Sequence, residues 1–216
     1  MAVKRKRGVV ERGGSELRLA VDELSLLKSD GHNNTRALLS LSNFLLHVLD
    51  KIGPTMAVLR QDIHQNIERL EKIYESNPSI YSSLVEILNK EVGDGTAKRT
   101  TSCSRALLWL TRSMDFIVAL LEKLVEDPEM SLKLAIEEAY ENTLRPWHGW
   151  ISSAAYKVAL KLIPEREEFI GLLMYEGQDY NMLKKDIQSL ISLLLPFLND
   201  IHSTLRTFHL ERLKSI

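Results

Sequence analysis

Hydrophobic residues recur at helical spacing along almost the whole chain, and no stretch shows the strict alternation of a half-buried strand. Together with the caps and helix-breaking residues between the segments, this pattern predicts an all-α fold class with about eight helices. The predicted helices cover residues 16–28, 36–52, 54–76, 80–92, 101–126, 130–143, 147–163, a short one opened by Pro164, and 180–213, with Ser15 and Thr35 as N-caps and Pro196 as a site for a kink.

The predicted helix 101–126 is apolar on most of its sides rather than along one stripe. A helix with so little polar surface belongs at the centre of a bundle, where neighbouring helices cover it from several directions. We therefore expect this helix to line the interior of the protein, together with the apolar run 190–198 of the last helix.

The helix predicted over 54–76 carries three polar residues beside its apolar stripe. Asp62, Asn66 and Arg69 are spaced i, i+4, i+7, so they share one edge of the helix. Polar groups at the margin of a core need partners, because an unpaired buried polar group costs about 1–3 kcal/mol. Either other side chains satisfy these three residues or a ligand rich in hydroxyl groups does. The stripe comprises Leu59, Ile63, Ile67, Leu70 and Tyr74.

A second group of candidate residues lies on the predicted central helix. Arg105, Trp109 and Arg112 follow the same i, i+4, i+7 spacing. An indole flanked by cations offers a flat apolar surface that suits the C–H face of a sugar ring, and the cations suit an anion. The alternative is that Trp109 is an ordinary core residue and that the arginines pair with Asp115 or Asp62.

The third candidate feature is Trp147-His148-Gly149-Trp150, which directly follows a proline. The pattern predicts that His148 lies near the start of a helix. A single histidine beside an apolar face is more often a satisfied boundary residue than a functional group. Two tryptophans around a His-Gly pair are less usual, and an exposed tryptophan suits a membrane interface.

The composition favours one globular domain in a reducing compartment. With 216 residues, 44% of them hydrophobic, the chain can bury one substantial core, which we predict over residues 15–216. Residues 1–14 are predicted to be a basic disordered tail, although Lys4-Arg5-Lys6-Arg7 is also typical of a nuclear signal or a lipid-surface anchor. The single Cys103 excludes a disulfide framework within the chain and fits a cytoplasmic location.

Several classes of function lack their usual sequence signals. A net charge of −1 argues against general nucleic-acid binding, which normally needs a strong basic excess. No phosphate-binding glycine loop, zinc-binding motif or nucleophile elbow is present, so we predict no enzyme activity, no cofactor and no metal site. No apolar run approaches the roughly 20 residues that a membrane-spanning helix needs.

The three groups of candidate residues together resemble the glycolipid transfer protein family. Residues 60–69, Arg-Gln-Asp-Ile-His-Gln-Asn-Ile-Glu-Arg, are similar to that family's Asp-x-x-x-Asn-x-x-Lys headgroup motif. Residues 107–112, Leu-Leu-Trp-Leu-Thr-Arg, resemble its tryptophan platform, and residues 147–150 resemble its His-Gly-Trp segment. The similarity extends over most of the chain, and residues 49–54 resemble the plant members in particular.

The resemblance implies a two-layer helical sandwich that opens to take up one sphingolipid. By analogy with the family, Asp62 holds the ceramide amide N–H and a sugar hydroxyl, and His148 donates to the ceramide carbonyl. Trp109 stacks under the first sugar, and Asn66 and Arg69 bind sugar hydroxyls.

The resemblance also implies the partners of the protein. Each chain is expected to bind one glycosphingolipid. It is also expected to contact a membrane surface transiently, with Trp150 docking on that surface. We expect a monomer in the cytosol that is peripheral to membranes.

Two positions depart from the sugar-binding branch of the family. Arg69 stands where lysine is usual, and a planar guanidinium does not replace an ammonium. Arg105 stands where the phosphate-binding branch has arginine, but that branch replaces Asn66 by lysine and Trp109 by arginine. We therefore expect a neutral, glucosylceramide-like headgroup, with a ceramide-1-phosphate carrier or a sphingolipid sensor as the alternative. With a neutral headgroup, we expect Arg105 either to lie outward along its helix or to stack against Trp109.

Overall fold

The computed structural model describes residues 16–27 and 34–215, and nearly all of this part is helical. The only β pairing among the described residues is an isolated bridge between Asn34 and Ser83, so the predicted all-α class is confirmed. The predicted tail at 1–14 and the Ser15 cap lie outside the described residues. The α-helices are α1 (Glu16–Leu27), α2 (Thr35–Ile52), α3 (Ala57–Ser76), α4 (Pro78–Tyr81), α5 (Leu84–Gly93), α6 (Cys103–Glu126), α7 (Leu132–Asn142), α8 (Trp150–Ala159), α9 (Arg166–Leu173) and α10 (Tyr180–Thr207), with 3₁₀ turns at Pro54–Met56 and Arg145–Trp147.

Helix α6 is central, as its apolar composition predicts. It packs against α2, α3, α5, α7 and α10. Its start is fixed to α5 by Glu91, whose carboxylate accepts hydrogen bonds from the backbone N–H groups of Cys103 (2.8 Å) and Ser104 (2.7 Å). A negative charge at a helix N-terminus is favourable because it faces unpaired N–H groups and the positive end of the helix dipole.

The other end of α6 is also held by side chains from later helices. The carbonyl of Leu124 accepts hydrogen bonds from Arg166 of α9 and Tyr180 of α10, and that of Val125 accepts one from Lys184. These donors satisfy carbonyls that the last turn of a helix leaves unpaired. Both ends of the central helix are therefore tied to neighbouring helices.

The predicted start of α2 was wrong by one residue. Asn34, not Thr35, is the N-cap, because its Oδ1 accepts hydrogen bonds from the N–H groups of Arg36 (2.8 Å) and Ala37 (3.2 Å). The Thr35 hydroxyl instead donates to the carbonyl of Tyr81 at 2.7 Å. The predicted helix 80–92 is interrupted at Ser83, whose extended backbone pairs with Asn34.

The predicted helices 147–163 and 180–213 were both too long. The chain is extended at Gly149, so α8 begins only at Trp150, and the next helix begins at Arg166 rather than at Pro164. Helix α10 runs through Pro196 and ends at Thr207. Beyond it His209 has a φ of +56°, a left-handed conformation that ends the helix and turns the chain back.

No helix within residues 16–27 and 34–215 is both long enough and apolar enough to cross a membrane.

Candidate functional site

The polar edge predicted on α3 is connected by hydrogen bonds. Asn66 is buried; its Nδ2 donates to the backbone carbonyl of Asp62 at 3.0 Å, and its Oδ1 accepts from Arg69 Nη1 at 3.1 Å. The same nitrogen of Arg69 lies 3.4 Å from the carbonyl oxygen of Thr100, and Cys103 Sγ donates to the Arg69 carbonyl at 3.4 Å. The edge of α3 is thereby joined to the start of α6.

The Asp62 carboxylate differs from its two neighbours because it accepts no hydrogen bond within the described residues. Its side chain is accessible to solvent, yet the surrounding protein removes enough water to raise the pKa of this carboxyl above its usual value. The charge of Arg69 acts in the opposite direction and lowers that pKa, but the desolvation is larger. Asp62 is thus an acceptor with unused capacity at the edge of the core.

Arg112 on α6 is almost completely buried between two indole rings. Its guanidinium carbon lies 4.9 Å from the centroid of the Trp109 ring and 4.1 Å from that of Trp147. It donates to the backbone carbonyls of Leu213 (2.7 Å) and Glu211 (2.5 Å). Burial lowers the pKa of Arg112 to about 10, so the group stays charged at neutral pH.

The alternative in which the α6 arginines pair with Asp115 or Asp62 is not what the hydrogen bonds show. Arg105 and Arg112 bind backbone carbonyls near the end of the chain rather than Asp115 or Asp62; Arg105 donates from Nη2 to the carbonyl of Lys214 at 2.8 Å. It is Arg112, not Arg105, that stacks against Trp109. Asp115 instead accepts a hydrogen bond from His202 at 2.8 Å.

His148 lies in the turn between the 3₁₀ segment and α8, not on a helix as predicted. Its ring centroid is 5.6 Å from that of Trp109, and its Nδ1 lies 3.2 Å from the Tyr140 hydroxyl. Burial and the charge of Arg112 lower the pKa of His148, so the ring is neutral at neutral pH. When the Tyr140 hydroxyl donates to Nδ1, the ring proton resides on Nε2, which can then donate to a ligand.

The structure therefore brings the predicted residues together in two groups. Trp109 and His148 are in ring contact, while Asp62, Asn66 and Arg69 form one edge of α3. The two groups are connected through the packing of α3 against α6, and no described hydrogen bond joins them.

An exposed apolar surface lies on α8 and the residues that follow it. Trp150 is 80% exposed, and Ile151, Val158 and Leu162 are also exposed. Two lysines, Lys157 and Lys161, are exposed in the same stretch. Large apolar side chains rarely gather on a free surface without a partner, so this surface is a candidate for contact with another apolar phase.

A wholly apolar cavity lies under the first helices. Its volume is about 30 Å³, which is the volume of roughly one water molecule. The sequence predicted the contributions of α6 and α10, but it missed those of α1, α2 and α9. The lining residues are Leu17, Leu41, Phe44, Leu45, Val48, Met114, Ile117, Leu120, Leu121, Phe169, Leu173, Leu190 and Leu194.

Sequence reasoning also missed two supports of the site. The first is Tyr140, which holds the His148 ring from α7. The second is the segment 211–215, whose carbonyls bind both arginines of α6. A backbone carbonyl has no sequence signal, so the only hint of the second support was an arginine at a helix position that faces the core.

Comparisons with known proteins identify the family of the chain. The family model described as glycolipid transfer protein matches residues 33–175. Glycolipid transfer protein 3 of Arabidopsis thaliana is 56% identical over 180 residues, which cover 83% of this chain and 77% of that protein. Glycolipid transfer protein 2 of the same plant is 46% identical over 223 residues, which cover 99% of this chain and 100% of that protein.

Solved structures show the same fold. A structure described as "How FAPP2 Selects Simple Glycosphingolipids Using the GLTP-fold" has a TM-score of 0.75 and 27% identity, and the match covers 85% of this chain and 90% of that one. Human ceramide-1-phosphate transfer protein, solved with 12:0 ceramide-1-phosphate, has a TM-score of 0.81 at 17% identity, covering 93% and 100%. The family model spans more than half of the chain and both plant relatives are well above 30% identical, so the chain belongs to the glycolipid transfer protein family.

Proposed function

We propose that this protein is a non-vesicular carrier that extracts one glycosphingolipid from a membrane and delivers it to another. The observation that carries the proposal is the Asp62 carboxylate, which is partly desolvated and accepts no hydrogen bond within the described residues. Such a group favours a donor from outside the chain, and an amide N–H or a sugar hydroxyl is a donor of the required kind.

The other two residues of the α3 edge would bind the sugar. The Asn66 amide and the Arg69 guanidinium are already oriented by each other, so their remaining N–H groups are directed with little loss of side-chain entropy. Amide and guanidinium donors suit the hydroxyl oxygens of a sugar. This arrangement supports recognition of a headgroup that is rich in hydroxyls.

Trp109 and His148 would bind the next part of the lipid. The half-exposed indole of Trp109, stiffened by Arg112 on one side, offers a face for the apolar side of the first sugar. The neutral His148 can donate from Nε2 to the ceramide carbonyl while Tyr140 holds its Nδ1. Asp62 would accept the ceramide amide N–H and His148 would donate to the amide carbonyl, so both hydrogen-bonding groups of the amide would be bound.

The lipid chains would enter the apolar cavity between α1, α2, α6, α9 and α10. A sphingolipid has roughly 30 chain carbons, and at about 0.8 kcal/mol per methylene its exposure to water is prohibitive. A carrier must therefore enclose the chains in a dry space. Because the cavity measures only about 30 Å³, the surrounding helices have to separate to admit them.

The charges around the site support a neutral sugar rather than a phosphate. A phosphate monoester carries nearly two charges and three strong acceptor oxygens, so its capture needs several converging cations. Here Arg112 is buried on backbone carbonyls, Arg69 is bound to Asn66, and Asp62 adds a negative charge. The alternative, a ceramide-1-phosphate carrier or sensor, is favoured by Arg105, which is only half-buried.

Competition between two lipids tests this choice. Transfer of labelled glucosylceramide between vesicles is measured while unlabelled ceramide-1-phosphate in the donor vesicles is increased. We expect little inhibition at equimolar competitor, because the site lacks converging free cations. Strong inhibition that Arg105→Leu relieves would instead make the phosphate-headgroup alternative the better description.

The exposed apolar surface of α8 would be the contact with the membrane. Trp150, Ile151, Val158 and Leu162 can enter the interfacial region, and the two nearby lysines can face lipid phosphates. His148 lies two residues before Trp150, so docking through α8 would bring the headgroup site to the membrane surface. We propose that the protein acts as a cytosolic monomer that binds membranes only transiently.

Trp150→Ala is expected to weaken binding to neutral vesicles by roughly 5-fold to 30-fold without changing headgroup selection, because an exposed indole contributes on the order of 1–2 kcal/mol at the interface. The measurements are vesicle partitioning and the ratio of transfer rates for two sugar headgroups. Val58→Ala removes a similarly exposed side chain from α3 and serves as the matched control. A changed ratio with unchanged partitioning would assign Trp150 to the pocket.

A further inference from the structure

The segment 211–215, which we call the strap, connects two parts of the candidate headgroup site. On one side its backbone carbonyls accept hydrogen bonds from α6, at Glu211 and Leu213 from Arg112 and at Lys214 from Arg105. On the other side Ser215 binds the turn that carries His148. Nothing in its sequence marks this role, because its hydrogen bonds with α6 are accepted by main-chain carbonyls.

Ser215 makes two hydrogen bonds with the His148 turn and one contact with α8. Its N–H donates to the carbonyl of Trp147 at 2.9 Å, and its Oγ accepts from the N–H of Gly149 at 2.7 Å. The Ser152 hydroxyl of α8 lies 3.0 Å from the same Oγ. The strap is therefore hydrogen-bonded to the residues on both sides of His148 and also to the two arginines beside Trp109.

The strap carbonyls are the acceptors that keep Arg112 satisfied in the interior. Arg112 is 2% exposed, and its guanidinium has indole faces on both sides. A buried cation that loses its acceptors is strongly destabilised until it finds other ones. Phosphate oxygens are the acceptors that guanidinium groups bind best, because the hydrogen bonds are charge-assisted and can be bidentate.

Arg105 has the same dependence but lies closer to solvent. Its Nη2 donates to the Lys214 carbonyl, and no other hydrogen bond of its guanidinium is found within the described residues. It lies one helical turn before Trp109, so release from the strap would leave a cation beside the proposed sugar platform.

We propose that the strap determines which class of sphingolipid headgroup the site accepts. While the strap is in place, its carbonyls engage Arg105 and Arg112 and the site takes a neutral sugar. When the strap is displaced, the same two guanidinium groups become available for the phosphate of a phosphorylated ceramide. This inference rests on the proposed glycosphingolipid-carrier function and adds the element that sets its headgroup selection.

Ser215→Pro tests the strap because it removes the N–H donor to Trp147 and the hydroxyl that binds Gly149. Inhibition of glucosylceramide transfer by ceramide-1-phosphate is measured for the wild type and the variant. We expect the competitor concentration for half-inhibition to fall at least about tenfold in the variant. Adding Arg105→Leu to Ser215→Pro should reverse this gain. An unchanged half-inhibition value, or a gain that persists without Arg105, would overturn the proposal.

A second pair of variants keeps the test informative if Ser215→Pro misfolds. The 3.0 Å separation of the Ser152 and Ser215 hydroxyls makes Ser152→Cys with Ser215→Cys a candidate disulfide that locks the strap. The Cys103 thiol, whose pKa burial raises to about 12, is a poor competitor for this pairing. The oxidised protein should transfer glucosylceramide and resist ceramide-1-phosphate, and the reduced form should be more sensitive. Equal sensitivity of the two forms contradicts the proposal.

The outcomes also separate this inference from the proposed function. If the wild type transfers no neutral glycosphingolipid, the carrier function itself fails, whatever the strap does. If the wild type transfers glucosylceramide but strap release leaves headgroup preference unchanged, only the present inference fails.

Discussion

Asp62→Val is expected to abolish glycosphingolipid transfer between vesicles while the helical fold persists. The Asp62 carboxylate accepts no hydrogen bond within the described residues, so its removal breaks no internal contact and should not lower the melting temperature. Hydrogen bonds to a charged acceptor contribute roughly 1.5–3 kcal/mol each, so losing two of them would reduce binding by a factor on the order of 10² to 10⁴. The measurement is the initial rate of fluorescent glucosylceramide transfer, with circular dichroism as the check on folding.

Two further variants give this experiment its controls. Asp62→Asn keeps the shape of the side chain but exchanges one acceptor oxygen for a donor, so transfer should fall nearly as far. Asp94→Val removes an exposed carboxylate that is paired with Lys90 on α5, and it should leave transfer unchanged. If Asp62→Val transfers lipid within a few-fold of the wild type, Asp62 is not a headgroup ligand and the proposed site is wrong.

The sequence predicted those parts of the fold and site that depend on local periodicity. The central position of α6 follows from its all-round apolar surface, and the burial of Asn66 follows from its place at the edge of the α3 stripe. By contrast, only the resemblance to a family predicted that Trp109 and His148 share a site, because they lie 39 residues apart in the sequence. The structure places the centroids of their rings 5.6 Å apart.

Contacts between distant segments could not be read from the sequence. The acceptors of Arg112 are carbonyls about a hundred positions later in the chain, and every residue carries a carbonyl. The sequence instead suggested carboxylates, because opposite charges are the partners that residue types can indicate. Similarly, the α1 and α2 side chains of the apolar cavity look like any other core positions until the helices are packed.

Helix boundaries failed where tertiary contacts override local propensity. Thr35 is a favourable N-cap, but its hydroxyl binds Tyr81, and Asn34 takes the capping role. The turn that carries His148 was predicted to be helical because both tryptophans fit a helical pattern. In the structure Gly149 is extended, and its N–H binds the side chain of Ser215.

Trp109→Ala is expected to have the second-largest effect, because it removes the proposed stacking surface for the first sugar. Stacking of a flat ring on an aromatic side chain is worth about 1–3 kcal/mol in nucleic acid complexes, which corresponds to a loss of roughly 5-fold to 150-fold in binding. The transfer rates of galactosylceramide and glucosylceramide should both fall, since a stacking surface does not distinguish the orientation of a single hydroxyl. The assay is vesicle transfer of each lipid.

The same substitution also removes one face of the Arg112 sandwich, so its effect on stability has to be separated from its effect on binding. Trp147 remains 4.1 Å from the guanidinium and the two strap carbonyls still accept its hydrogen bonds, so the site should retain most of its order. Trp109→Phe keeps an aromatic face and should recover a large part of the transfer rate, whereas Trp109→Leu, which preserves bulk without an aromatic face, should not. If the alanine variant instead shows a lower melting temperature with transfer preserved, Trp109 is a core residue and the sugar rests elsewhere.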